Sequence, residues 1–75
     1  MGQIRIVDRH GDTQVDWDVK DEASVEEART LFQHKRLEGY FAYAVAPTDA
    51  RKGTMLTEFD KTAERIVMTP PLVGG

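Results

Sequence analysis

Apolar residues recur at every second position in two stretches near the start of the chain. Ile4 and Ile6 alternate with Gln3 and Arg5, and Val15, Trp17 and Val19 alternate with Asp16, Asp18 and Lys20. A period of two puts all the apolar side chains of a strand on one face. The pattern therefore predicts strands over Gln3 to Val7 and Thr13 to Lys20, each with one buried face. Between them His10-Gly11-Asp12 offers the positive φ that a short hairpin turn needs. The period then changes. Val25, Ala28, Leu31 and Phe32 fall at three- and four-residue spacing, while Glu26, Glu27, Arg29, Gln33 and Lys35 take the other positions. This predicts an amphipathic helix of about 13 residues. Ser24-Val25-Glu26-Glu27 has the form of a capping box that starts it, and Gly39 is placed to end it in a left-handed turn.

Tyr40 to Ala46 returns to strand chemistry, with Phe41, Tyr43 and Val45 on one side and Ala42, Ala44 and Ala46 on the other. It reads as an interior strand. Pro47 to Gly53 is turn chemistry. Thr54 to Phe59 is open between a short edge strand and an irregular turn, because Leu56 and Phe59 are also spaced for a single helical turn. Glu64 to Met68 alternates once more and forms the last strand. Strand, strand, helix, strand, short element, strand over residues 1–69 gives an α+β domain, a mixed four- to five-stranded sheet with one helix packed across one face.

Composition narrows what such a domain does. Its 75 residues provide one core and leave no room for an enclosed active site. With 40% hydrophobic and 31% charged residues, the chain has the make-up of a folded domain. Ten basic against thirteen acidic side chains leave a net charge of −3 without a basic stripe, which speaks against nucleic acid. There is no cysteine, hence neither a disulfide framework nor a thiol nucleophile. No apolar run approaches membrane-spanning length, and Ile6 stands where a myristoylation pattern wants Ser or Thr. The expectation is a cytoplasmic protein that engages neither membrane nor nucleic acid.

Two polar constellations invite a catalytic or metal reading. Asp8, His10 and Asp12 gather at the hairpin, where turn chemistry accounts for them better than a metal site that normally collects four ligands. Ser24, His34 and Asp21 have the residue types of a hydrolytic triad but no strained nucleophile turn. The chain is not expected to be an enzyme or to bind a metal. His34, Lys35 and Arg36 suit the negative end of the helix, and Trp17 belongs to the core.

The sequence closes on Pro70-Pro71-Leu72-Val73-Gly74-Gly75. At average glycine usage two would end a chain by chance in about one case in 200. Glycine lacks a Cβ, so a diglycine end can pass through a narrow channel into another protein's active site. Pro70 and Pro71 have no N–H to continue a sheet and favour a stiff polyproline stretch. Residues 70–75 therefore read as a flexible tail of about 20 Å at 3.3 Å per residue. Leu72 and Val73 are suited to docking in a partner's groove, and Gly75 and Gly74 form an acyl or conjugation site.

Gly11-Asp12-Thr13 in the hairpin, Asp21 to Ala28 at the helix start, Leu56-Thr57-Glu58-Phe59 and the closing Gly74-Gly75 occur in the order found in ubiquitin-like proteins, which the chain resembles over nearly its whole length. Pro70-Pro71-Leu72-Val73-Gly74-Gly75 is similar to the end of the molybdopterin synthase small subunit and related sulfur carriers. The chain lacks the arginines that precede ubiquitin's diglycine. The resemblance implies the β-grasp fold, and together with topology rules it places the first and last strands parallel at the sheet centre.

A carboxylate with a pKa of about 3.5 is ionised and unreactive at neutral pH, so it needs activation. The resemblance implies an adenylating enzyme of the ubiquitin-activating type, which uses ATP and Mg²⁺ to convert the Gly75 carboxylate to an acyl adenylate. The chain itself would bind no cofactor. In one outcome a conjugating enzyme passes the acyl group to target lysines, making the chain a protein modifier. In the other, sulfur displaces AMP and leaves a thiocarboxylate for molybdopterin, thiamin or thiolated-tRNA synthesis. A protease is a further partner. Lys20, Lys35, Lys52 and Lys61 are candidate acceptors of another copy's tail. The third reading is a noncovalent module whose outer sheet face, through Tyr40, Val67 or Leu72, forms an apolar patch.

Overall fold

A computed structural model describes residues 2–8, 11–46 and 49–71, with backbone only at 46 and 49–52. The elements are β1 (Gly2–Asp8), β2 (Gly11–Trp17), α1 (Glu22–Leu37), β3 (Phe41–Ala46), β4 (Asp49–Leu56) and β5 (Arg65–Thr69). They form a five-stranded mixed sheet in the order β2-β1-β5-β3-β4. β1 runs antiparallel to β2 and parallel to β5, while β3 is antiparallel to both β5 and β4. Parallel neighbours at the centre are what the topology rules anticipated.

Strand alternation selects the face that α1 covers. Ile4, Ile6, Ile66, Met68 and Ala42 are buried on one side of the sheet, where Val25, Ala28 and Phe32 of α1 meet them. Each fully buried aliphatic or aromatic side chain contributes about 1.5–3 kcal/mol through removal from water. On β3, Ala42 is buried under the helix, whereas Phe41 is exposed. Alanine at this position leaves room for the larger side chains of the neighbouring strands and helix.

The helix begins earlier than the capping-box pattern predicts. Asp21 is the N-cap of a 16-residue helix, and its Oδ1 accepts from the amides of Ala23 (3.1 Å) and Ser24 (3.4 Å). Ser24 instead turns back toward the end of the hairpin. Its hydroxyl accepts from Asp18 N (2.9 Å) and donates to the Asp21 carbonyl (2.8 Å). A carboxylate satisfies two orphan amides and also meets the positive end of the helix dipole. The chain leaves α1 through Glu38 and Gly39, which takes φ +95°. Gly39 N bonds Arg36 O (3.0 Å) and Tyr40 N bonds Lys35 O (3.0 Å), the paired bonds of a Schellman turn.

Three further expectations are corrected. Val19 does not extend the buried face of β2: the strand ends at Trp17, Asp18 bonds the Lys20 amide in a turn, and Val19 is 50% exposed. Residues 49–53 belong to β4 rather than to a long turn, since Ala46 pairs with Asp49 and, after a register shift, Val45 pairs with Gly53. β4 runs on to Leu56, so its edge-strand reading holds there and residues 57–59 are irregular. Tyr40 is only 9% exposed and belongs to the core, not to a surface patch. The hairpin opens on Gly11 at φ +124° opposite Asp8, and the intervening Arg9 and His10 lie outside the described residues.

Two substitutions test these local assignments. A Cβ on Gly2 would overlap Cζ2, Cε2 and Cη2 of the Trp17 indole. Gly2→Ala is thus expected to lower unfolding free energy by about 1–3 kcal/mol in denaturant titration; an unchanged midpoint would contradict the packing. Asp21→Ala is expected to cost about 1 kcal/mol, and Glu27→Ala less than about 0.5 kcal/mol. A larger loss at Glu27 would restore the capping box.

Candidate functional site

β5 is the strand that leads to the closing segment. Its backbone is paired on both sides, Ile4 facing Ile66 and Ile6 facing Met68 on the β1 side, and Ala44 facing Ile66 and Ala42 facing Met68 on the β3 side. A strand held by two ladders has little freedom at its end. Thr69 still pairs with Phe41, after which Pro70 and Pro71 leave the sheet without amide donors. Both prolines are half-buried. Pro71 reaches the Schellman turn: its Cγ lies 3.5 Å from where a Cβ on Gly39 would stand. Leu72, Val73, Gly74 and Gly75 lie outside the described residues.

On the face away from α1, Arg5, Val67, Tyr43 and Met55 lie in register across four strands. Val7, Phe41 and Met55 are exposed, and Met55 is 57% accessible. Beside Tyr43 a shallow depression of about 430 Å³ is lined by Val45, Gly53, Arg65 and Val67. This gives the sheet an apolar outer surface flanked by the Arg5–Asp12 ion pair (2.7 Å). Of the residues anticipated for such a surface, Val67 is on it and Tyr40 is not. Phe41, Val7 and Met55 were missed, although the alternation in β3 had already separated Phe41 and Tyr43 from the alanines.

The candidate acceptor amines differ in their surroundings. Lys20 and Lys61 are exposed. Lys35 is half-buried, its Nζ 3.2 Å from Glu38 Oε2 and 5.0 Å from the centre of the Tyr40 ring. The hydrogen bond to Glu38 is the main cause that holds its amine above the usual lysine value, with Tyr40 and Asp8 adding to it and burial opposing. Lys52 lies in β4, and its side chain is outside the described set.

The Ser24, His34 and Asp21 set is not assembled, and the Asp8, His10 and Asp12 set falls partly outside the described residues. Ser24 and His34 are ten positions apart on α1, about 15 Å at 1.5 Å per residue, and Ser24 is engaged with Asp18 and Asp21. Asp12 pairs with Arg5, Asp8 accepts from Tyr40 Oη (3.4 Å), and His10 lies outside the described residues. Among the described residues no cluster of three metal-ligating side chains occurs. No helix there is long and apolar enough to cross a membrane.

Compared with protein families, curated proteins and solved structures, the chain matches none.

The lysine environments have a measurable consequence. Acetylation with sulfo-N-hydroxysuccinimidyl acetate at pH 8, followed by peptide mass mapping, is expected to modify Lys20 and Lys61 several-fold faster than Lys35, because a raised pKa leaves less free amine. Glu38→Gln should narrow the difference. Equal rates in the unaltered chain would contradict it.

Proposed function

We propose that this chain is a ubiquitin-like β-grasp protein modifier whose Gly75 carboxylate, as synthesised or as freed by a protease, is adenylated by a ubiquitin-activating-type enzyme and conjugated to target lysines. The observation that carries the reading is the path of β5. The diglycine follows a central strand paired on both sides and parallel to β1, with its exit braced by Pro71 against Gly39. An acyl group delivered into another protein's active site benefits from a rigid root and a slender end, because less freedom is lost on docking. ATP and Mg²⁺ act in the partner. Exposed Lys20 and Lys61 are the better acceptors for another copy, as Lys35 is held by Glu38.

The sulfur-carrier reading is favoured by one specific feature, Pro70-Pro71 ahead of Gly74-Gly75. The prolines end the ladder abruptly and stiffen the approach to the diglycine. Carrier and modifier share the adenylation step and diverge after it.

Adenylation is tested by incubating the chain with the adenylating enzyme of its host and following exchange of labelled pyrophosphate into ATP. Exchange is expected with Gly75 present and abolished by its deletion; full exchange without Gly75 overturns the mechanism. Intact mass from host cells then separates the outcomes, isopeptide-linked species for the modifier and one oxygen replaced by sulfur for the carrier.

A further inference from the structure

A cleft of roughly 630 Å³ opens between the second half of α1 and the irregular segment after β4. Its apolar lining is Phe32 and Phe59, which meet edge to face at 5.9 Å, together with Leu37. Leu37 is 88% exposed, the most exposed large apolar side chain among those described. Nothing in the folding of α1 accounts for that exposure, since Val25, Ala28 and Phe32 already supply its buried stripe.

The polar lining is asymmetric. Arg29 is already engaged, paired with Glu26 and stacked over the Phe59 ring at 6.0 Å. Arg36 is not. One of its nitrogens, Nη1, donates to Tyr40 O (2.8 Å), which fixes the guanidinium at the helix end. Its Nε is buried without an acceptor, and among the described residues no carboxylate pairs with it. The buried Nε is out of a ligand's reach, but the guanidinium keeps its positive charge, and an anion beside its outer nitrogens neutralises it through charge-assisted hydrogen bonds. Across the cleft stands Glu58, which opposes a second negative charge on that side.

We infer that this cleft binds a peptide segment carrying one carboxylate beside bulky apolar side chains. The carboxylate takes the outer guanidinium donors of Arg36, and the apolar groups cover Leu37 and the part of Phe59 left open above the buried Phe32. Glu58 fixes the orientation, because it tolerates a neutral or apolar group at the loop wall and repels an acidic one. This site lies on the opposite side of the sheet from the outer apolar surface and does not depend on the diglycine arm.

The test uses the ¹⁵N-labelled full chain and two capped tripeptides, Ac-Leu-Asp-Leu-NH₂ and its uncharged counterpart Ac-Leu-Asn-Leu-NH₂, in amide chemical-shift titrations. The acidic peptide is expected to move amides of residues 29–37 and 57–59, with a Kd near or below about 1 mM, and to bind about tenfold tighter than the uncharged peptide. Raising the salt should weaken it. Leu37→Ser, at an exposed position that folding does not need, should weaken binding several-fold, and Glu58→Gln should strengthen it. Equal affinity for both peptides, shifts confined to Phe41, Tyr43 and Val67, or weaker binding by the Glu58 variant would overturn the inference. So would concentration-dependent shifts of residues 29–37 without peptide, which would assign the cleft to a second copy of the chain.

Discussion

The indole N–H of Trp17 donates to the carbonyl of Lys61 at 3.1 Å, across 44 residues of sequence. This bond joins the end of the first hairpin to the segment that carries the chain from the edge strand β4 back to the central strand β5. The ring beneath it is buried, packs edge-on against Phe59 at 5.0 Å and lies over the backbone of Gly2. Phe59 in turn meets Phe32 of the helix. One side chain therefore locates three elements that are remote in sequence. A buried indole needs a partner for its single donor, and here that partner fixes the return path.

The consequences run toward the diglycine. Asp60 bonds the amide and hydroxyl of Thr62 (2.9 and 2.5 Å), and Ala63 N bonds Asp60 O, so the segment after Lys61 is a folded turn. The Thr62 donors hold the Asp60 carboxyl below its ordinary value. Its contribution to the turn is thus complete above the usual aspartate range and fades only as pH falls through the lowered value. Directly after the turn, Gln3 N bonds Glu64 O (3.1 Å) and the parallel ladder between β1 and β5 begins. Register in that ladder decides where Thr69 ends and where the prolines depart. The place of the arm is in this sense set by an aromatic residue more than fifty positions before it.

Local pattern made much of this legible. β1, β3 and β5 follow from alternation because each has a buried face, and the helix stripe follows from its spacing. The errors occur where the deciding partner is distant or where two residues compete. Asp21 and Ser24 are both good caps, and Asp18 draws Ser24 away. Residues 49–53 include aspartate, lysine and glycine, poor strand formers, yet Asp49 and Gly53 pair with β3 on either side of a register shift. Tyr40 is buried because the Schellman turn places it beneath Lys35, a contact that strand alternation does not encode. The cleft was illegible for the same reason: Arg36 and Phe59 come to line one cleft only through the return segment that Trp17 holds.

Among the described residues no polar or charged side chain is buried. Among the described residues, Lys35 and Asp60 owe their shifted pKa values to a neighbouring carboxylate and to a turn. The described core is apolar, so the polar groups that a partner could reach lie at the surface of the domain. The features available to such a partner are distinct in kind: an apolar sheet face, a cleft with one unneutralised cation, and a strand exit braced by Pro71 on Gly39. Because the sheet separates the cleft from the outer face, occupying one leaves the other open. On the two proposals above, a chain of 75 residues offers separate sides to two partners, and both rely on the segment held by Trp17.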